Sequence, residues 1–515
     1  MVIKNYIEKN RYYDSVFLMK IARRLAETDG VDNASIGMGT PLNKDTISDL
    51  GLWTNEAEST GPNDLIIAVR AETEADCEKA KEKFEELISE KSDTSSSFRS
   101  ISGAKAAVPE ANMAVISVAG EYAAKEAKRA LLNGMNVFMF SDNVSIEDEV
   151  ELKKLALSKG LFMMGPGCGL SFINGTAIGL CSMVHRGNIG LAGASGSGIQ
   201  EVMVLVHRNG FGISHAIGTG GRDMSDEVGG ITMAMSIKAL EKDENTKVIA
   251  LISKPPAESA LLKIIDVIKK CSKPVVVQFI NGNNKLLEEN GIMYSESFDE
   301  TAVKVMELSS GKKVTLKKVF NNDFDVKAEV KKYAPSQKYF RAILCGGSLA
   351  DETQLLWSKS GRELYSNVAI KPEFMLENPF ESYKHTVIDI GDETFTKGRA
   401  HVAIDPTARV NRFIKEARDP ETAVIYLDFL LGYALHPDPA SVMSEVITGE
   451  KKRAQEEGRH LTVIATICGS DMDPQDFEKQ AQILKDAGVI IADTNKEIAE
   501  IALDLIEETE REKLC

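Results

Sequence analysis

Apolar and polar positions along the chain follow two alternating periods. Short, almost wholly apolar runs such as IGLAGA, VIALISK, PVVVQFI and AVIYLDFL are separated by longer stretches with an apolar residue every third or fourth position. The first pattern is that of a strand covered on both faces, the second that of an amphipathic helix. Residues 1–90 read as a small α/β unit. Its elements are a helix from about Asp14 to Glu27 with the stripe Val16, Met19, Ile21 and Leu25, strands at Ala34–Met38 and Leu65–Val69, and a charged helix from about Glu72 to Glu90. KSDTSSSFRSISG opens a polar, serine-rich linker over 91–111. From Asn112, MAVISVAG, EYAAKEAKRALLNG, MNVFMFSDN, SIEDEVELKKLALSKG and LFMMGPGCG alternate strand and helix and predict a Rossmann-like domain over 112–187. A second run over 188–310 has the strands IGLAGA, HAIGTGG, VIALISK and PVVVQFI. A charged segment, 311–338, bridges to a third run over 339–515 that includes RAILCGG, AVIYLDFL and LTVIATI. The expected fold class is therefore α/β, with several Rossmann- or flavodoxin-like parallel-sheet domains.

Composition narrows the partners. A chain of 515 residues exceeds one ordinary core and predicts three or four domains. A formal net charge of −16 argues against nucleic acid or an anionic membrane as the main partner, while leaving room for a locally positive pocket. The seven cysteines form no CxxC and are odd in number, as expected of reduced thiols in a cytoplasmic protein. MVIKNYIEKNRYYDS lacks the apolar core of a secretory signal, and no apolar run approaches the ~20 residues that span a bilayer. The seven histidines have no metal-ligand spacing, so no metal is expected.

The candidate chemistry lies in glycine-rich loops at strand ends. GASGSG follows a strand and opens a helix, so the backbone of Ala194, Ser195, Gly196, Ser197 and Gly198 can point N–H groups at an anion. It is neither a Walker A loop nor a strict GxGxxG, and a tight turn with a serine cap is the bland alternative. GTGGRDM supplies Gly218, Thr219, Gly220, Gly221, Arg222 and Asp223 at the next strand end, where open α/β sheets bind ligands. LCGGSLADE repeats strand, glycine pair and helix with Gly346, Gly347 and Ser348. MMGPGCG is a rigid turn at Gly165, and its Cys168 reads as a buried structural thiol with no basic neighbour. GRAHVAIDP brings His401 near Arg399, the anion ligand expected there, and Asp405.

These motifs together resemble succinyl-CoA synthetase. Residues 112–310 are similar to its α subunit, with MMGPGCG in place of the I-G-P-N-C-P-G turn, IGLAGASGSGIQE in place of the S-R-S-G-T turn, and GISHAIGTGGRDM in place of the G-I-G-G-D loop. RAILCGGSLADE resembles the F-G-G segment of the β subunit's ligase domain. End to end, through NRYYDSVFLM, PEANMAVISVAGEYAA, MFSDNVSIEDE, GASGSGIQE, GTGGRDMS, SKPPAE and IDPTAR, the chain resembles the FdrA family of acyl-CoA-synthetase-like proteins. The resemblance implies a CoA-binding-type domain over 112–187, an α-like ligase domain over 188–310 and a β-like ligase domain over 339–515. It also implies two helix amino ends facing one phosphate, here in a single chain.

The departures from the synthetase matter as much. Its G-H-A-G-A loop is replaced by NGNNKLLEENGIMYSES, and no histidine occurs between His215 and His385. Lys254 stands where the synthetase has the acidic residue that steadies its phosphohistidine. The glycine loop of the synthetase's CoA domain has no counterpart before Ala114, and residues 1–110 are too short for an ATP-grasp module. An ammonium attracts a phosphate oxygen. The expectation is that phosphate arrives on a small substrate, with the helix starts and Lys254 holding it and Arg222 or Arg399 holding a carboxylate. The FdrA resemblance implies carbamoyl transfer of the oxamate carbamoyltransferase type in ureide and purine breakdown, interconverting oxalurate plus phosphate with oxamate plus carbamoyl phosphate. That reaction needs no cofactor and implies further subunits and a homo-oligomer. Two alternatives stand beside it: an NDP-forming acyl-CoA synthetase using CoA and ATP or GTP, and a non-enzymatic anion-binding scaffold.

Overall fold

The computed structural model describes all residues except 10, 12, 14, 91–97, 99, 321–323, 397–399 and 515. The chain forms two compact units: Met1–Arg99 with Glu393–Ile404, and Ser100–Asp392 with Asp405–Cys515.

The first unit is a three-stranded antiparallel sheet in the order β1-β3-β2, made of β1 (Val2–Glu8), β2 (Val31–Met38) and β3 (Leu65–Ala71). The helices α1 (Ser15–Ala26), α2 (Pro41–Asp49) and α3 (Glu74–Glu90) go with it. Central β3 is almost wholly buried, and Leu65, Ile67 and Val69 pack against Leu18, Ile21 and Leu25 of α1 and Phe84 of α3. Strand β1 and helix α2 were not legible from the apolar spacing. β1 (VIKNYIE) is only half-buried, as suits an edge strand.

The second unit contains three sheets. The smallest is parallel, in the order β4-β5-β6, from β4 (Met113–Ile116), β5 (Asn136–Met139) and β6 (Met163–Met164), with α4 (Ile101–Ala107), α5 (Gly120–Leu132) and α6 (Ile146–Lys159). The next has seven strands in the order β13-β12-β11-β9-β10-β7-β8. They are β7 (Leu170–Ile173), β8 (Thr176–Gly179), β9 (Arg186–Gly193), β10 (Ile213–Gly218), β11 (Val248–Ser253), β12 (Val275–Phe279) and β13 (Met293–Tyr294). Its helices are α7 (Gly196–Arg208), α8 (Ile231–Lys242), α9 (Glu258–Ile268), α10 (Asn284–Glu289) and α11 (Phe298–Ser310). The hairpin β7–β8 joins this sheet antiparallel to β10, so the first sheet ends at Met164 rather than extending through 187.

The last sheet has six strands in the order β15-β16-β14-β17-β18-β19. They are β14 (Tyr339–Leu344), β15 (Tyr365–Ser366), β16 (Thr386–Asp389), β17 (Thr422–Leu430), β18 (Thr462–Cys468) and β19 (Ile490–Ala492). Its helices are α12 (Val326–Val330), α13 (Gly347–Lys359), α15 (Thr407–Arg418), α16 (Pro439–Glu456), α17 (Phe477–Asp486) and α18 (Asn495–Leu514), while α14 (Glu393–Thr396) belongs to the first unit. The fold class is thus α/β with several parallel sheets.

The larger sheets share one order over five strands: β13-β12-β11-β9-β10 in one and β19-β18-β17-β14-β16 in the other. Each central strand, β9 or β14, runs through glycines into the helix that follows it, α7 or α13. Both helices are buried nearly all round, Gly198 to His207 in one and Ser348 to Gln354 in the other. A helix without a polar face belongs between layers, and one apolar core spans both sheets through α7, α11, α13 and α18. Trp357 of α13 is fully buried there, stacked on Phe340 of β14 with ring centroids 4.7 Å apart.

Trp357→Ala removes the largest fully buried side chain of this core and should cost about 3–5 kcal/mol. Chemical denaturation followed by fluorescence or circular dichroism checks this, and an unchanged midpoint contradicts the assigned packing.

Candidate functional site

The amino ends of α7 and α13 meet. The Ser195 hydroxyl donates to Ser348 Oγ at 2.6 Å, and the backbone N–H of Ser348 donates to Ser197 Oγ at 3.1 Å. Neither helix is capped by a side chain of its own N-cap residue, Ser195 or Gly346. A serine of α7 therefore satisfies a first-turn donor of α13, a group that no carbonyl within its own helix can reach. Glycine is required for this approach. A Cβ on Gly346 would lie 2.8 Å from Ser197 Cβ, and one on Gly198 would lie 2.6 Å from the Phe298 ring.

A polar shell closes around the junction. Asp428 of β17 accepts from the N–H groups of Cys345 and Gly346 at 2.7 and 2.8 Å and is paired with Arg409 at 3.0 Å. Asp389, the last residue of β16, accepts from Gly391 N–H at 2.9 Å, and its Oδ2 would lie 2.4 Å from a Cβ on Gly347. Lys254, just beyond β11, is 3.6 Å from Asp351 of α13, and its side chain is 41% exposed. Burial pushes the Asp389 carboxyl up to about 7, with Asp351 and Asp392 adding to the rise and Lys254 opposing it. Burial works against the Lys254 ammonium, but Asp351, Asp389 and Asp392 outweigh it and raise its pKa above the usual lysine value. The lysine expected to face a phosphate is thus already counterbalanced by aspartates.

Beneath the serines lies a second polar layer. Glu352 accepts from Phe298 N–H of α11 at 2.8 Å and from Asn495 Nδ2 of α18 at 2.7 Å, and Asn495 Oδ1 accepts from Tyr426 at 2.6 Å. Burial raises the carboxyl of Glu352 to about 8. Glu201, the buried glutamate of α7, is likewise raised, chiefly by burial. Asp351, Asp389, Asp428 and Glu352 were not singled out from sequence; the one available signal was their position three or four residues after Ser348 or at an apolar strand's end.

The remaining candidates are placed elsewhere. Arg222 pairs with Glu149 of α6 at 2.9 Å and donates to Val144 O at 2.8 Å, while its side chain stays 45% exposed. Asp223 is buried, bonded to Lys153 at 2.6 Å and to the N–H groups of Thr232 and Met233, where it ties the GTGGRDM loop to the start of α8. Gly218 and Gly220 let this loop lie on the MMGPGCG turn. A Cβ on Gly218 would meet Cys168 Sγ at 2.4 Å, and one on Gly220 would meet Pro166 O at 2.6 Å. Gly221 has open space around it. Gly165 N–H donates to Thr219 O at 3.4 Å. The Cys168 thiol is pushed up to about 12 by burial, in keeping with a structural role. Arg399 lies outside the described residues, and His401 belongs to the first unit, where its Nδ1 accepts from Ala403 N–H at 3.2 Å. The second unit's histidines have other partners: His185 and His207 stack on each other, His215 accepts from Asn174 N–H, His385 packs on Trp357, His436 accepts from Asp438 N–H, and His460 is bonded to Glu329.

Comparison with known proteins assigns families to three segments. Residues 1–106 match the AllF heavy metal-associated domain, 184–280 the CoA binding domain and 343–504 the CoA-ligase. A curated relative, the uncharacterized protein YahF of Escherichia coli (strain K12), is 44% identical over 512 residues, 98% of this chain and 99% of that protein. Among solved structures, the apo form of the dinucleotide forming acetyl-coenzyme A synthetase 1 of Ca. Korarchaeum cryptofilum shares 16% identity with a TM-score of 0.35, covering 81% of this chain and 86% of that one. The ATP citrate lyase of Methanothrix soehngenii with citrate and coenzyme A shares 13% identity with a TM-score of 0.37, covering 81% and 85%.

Two expectations change. The CoA-binding match falls on the α7 sheet, not on 112–187. At the β4–α5 turn of that earlier segment a Cβ on Gly120 would lie 2.2 Å from Asp142 O, so the turn requires glycine there. CoA, which the carbamoyl-transfer reading excluded, enters through two of the matches, and carbamoyl transfer finds no support among them. The heavy-metal description of residues 1–106 is not met by ligands. Residues 1–99 contain no histidine and a single cysteine, Cys77, which is buried beside Val2 O. No group of three His, Cys, Asp or Glu among the described residues is arranged to hold a metal, and no described helix is long and apolar enough to cross a membrane.

Asp389 gives a signed pH prediction. Its folded pKa lies above its unfolded value, so the folded state keeps a proton that the unfolded state releases, and stability falls as pH rises from about 4 through 7. Asp389→Asn should therefore lose less thermal stability than wild type between pH 5 and pH 8. Parallel melting-temperature profiles would refute the assignment.

Proposed function

The chain belongs to the family of the uncharacterized protein YahF, and on that premise we propose that it is an acyl-CoA-synthetase-like enzyme of the FdrA type, acting on a phosphate-bearing substrate where α7 and α13 meet. One observation carries the reading: the CoA-binding and CoA-ligase matches cover the two segments whose helices are joined at Ser195 and Ser348. Two amino ends with their glycine turns form a site where an anion is favoured by dipole and by N–H groups together. Gly196 faces open space, so a phosphoryl group of CoA, of a nucleotide or of an acyl phosphate fits against this turn.

The histidines of the second unit are partnered with other groups, so none of them is offered to the junction as a phosphoryl carrier. The phosphoryl group accordingly arrives and leaves on substrates, and the protein's part is positioning and electrostatic stabilisation. Lys254 keeps the aspartates beside the junction from repelling the incoming anion. Nucleotide, where the reaction uses it, comes with a partner subunit, since the first unit is a small three-stranded antiparallel sheet rather than a nucleotide-binding module.

The test uses the full chain, alone and with candidate partner subunits. It compares ATP or GTP with CoA and carboxylic acids against carbamoyl phosphate with oxamate. Saturable CoA binding by calorimetry and thioester formation are expected. Lys254→Ala should lower kcat/KM at least tenfold, about 1.4 kcal/mol, mostly through KM of the phosphate-bearing substrate. Carbamoyl transfer by a chain that binds no CoA would reject the proposal.

A further inference from the structure

The two large sheets of the second unit share more than a strand order. Glu201 and Glu352 stand four residues after Ser197 and Ser348, one turn further along α7 and α13, and are 4% and 1% exposed. The last helices correspond as well: α11 follows β13, at the end of one sheet, and α18 follows β19, at the end of the other. Both open with one capping device. Ser297 accepts from Glu300 N–H at 3.4 Å, and Thr494 accepts from Glu497 N–H at 3.1 Å. Glu300 and Glu497 accept in turn from the N–H groups of Glu296 and Asp493, at 2.7 and 3.2 Å. The N–H of the first helical residue, Phe298 or Asn495, still has no acceptor within its own helix.

The glutamates take those two donors crosswise. Glu352, on the half that ends with α18, accepts from Phe298 N–H of α11 at 2.8 Å. Glu201, on the half that ends with α11, accepts from Asn495 N–H of α18. Each of the two helices that meet at the serines is thereby tied to the last helix of the other half. Asn495 joins the two bridges, because its side-chain amide also donates to Glu352 at 2.7 Å. The thiol of Cys468, at the end of β18, is the second donor to Glu201. Burial disfavours both carboxylates, and an apolar side chain of similar size would escape that cost. What the two acids supply, and an apolar residue does not, is directed bonds from one half to the other.

We infer that Glu201 and Glu352 are a matched pair of positioning residues: crossing between the halves one turn below the serines, they fix how α7 and α13 approach each other and so set the geometry in which substrates meet. This rests on the reading that the reaction takes place where those helices join. The groups that contact substrate belong to each helix start separately. Loosening the cross-bridges therefore leaves each binding surface intact and spoils only their alignment, which is a loss in kcat rather than in KM.

The test has two readouts on the full chain. The first needs no activity. Ser195 and Ser348 touch through their hydroxyls, so Ser195→Cys with Ser348→Cys places two thiols in reach of a disulfide. Its rate of formation under diamide, mapped by mass spectrometry, reports the alignment of the helix starts. Glu352→Met, which keeps the volume and removes the acceptors, should slow that rate at least fivefold. Glu352→Gln, which keeps an oxygen for Phe298 N–H, should stay within twofold of the parent. Glu201→Met and Glu201→Gln should behave alike and serve if Glu352→Met fails to fold. The second readout, in chains that keep both serines, is thioester formation from CoA, ATP and a carboxylic acid. The methionine variants should lose at least tenfold in kcat with KM for CoA within twofold, and the glutamine variants should recover most of the loss. Disulfide formation as fast in the methionine variants as in the parent, or no rescue by glutamine, overturns the inference. So does slowed disulfide formation with unchanged kcat, and in each case the proposed function stands. A wild-type chain that forms no thioester with any partner overturns the function, while the disulfide rates still decide whether the glutamates align the helices.

Discussion

Two helices that point their amino ends at each other bring like partial charges together, and the structure depends on how that is resolved. Each end carries roughly half a positive charge, and two such charges about 5 Å apart at an effective dielectric of about 20 repel by roughly 0.8 kcal/mol. The chain answers with hydrogen bonds exchanged between the helices: Ser195 with Ser348, and the N–H of Ser348 with Ser197. It also places Asp389, Asp428 and Asp351 around one of the two ends. The glycines on both sides make this approach possible, because a side chain at Gly198 or Gly346 would fill the gap.

The junction is held from beneath as well as from the sides. Glu352 joins the first turn of α11 to the first residue of α18, and Asn495 passes the connection on to Tyr426 of β17. The helix starts of both sheets are therefore tied to one another through buried polar groups inside a shared apolar core. Such networks define geometry more than they add stability, since each member would be costly if left unpaired. A site whose chemistry is positional needs this kind of support.

Much of this was legible in the sequence, and the residues show where legibility stopped. The strands IGLAGA, VIALISK and AVIYLDFL stood out because central parallel strands are apolar throughout, and the glycine turns after IGLAGA and RAILC marked both helix starts. Half-buried β1 has no such run. The β7–β8 hairpin was assigned to the preceding domain because local spacing says nothing about which sheet a hairpin joins. The ion pair of Arg222 with Glu149 was not legible because the two residues are distant in sequence. Asp389 and Asp428 were missed because an aspartate at the end of an apolar strand looks like the start of a turn, until register sets it beside a helix end.

The first unit is discontinuous in the chain, since Glu393–Ile404 packs with Met1–Arg99. That excursion begins four residues beyond Asp389. A truncation at Arg99 would not simply remove an amino-terminal appendage: it would leave 393–404 without the residues it folds against. The amino-terminal stretch and this mid-chain loop make one compact unit, and trimming or grafting either alone divides it.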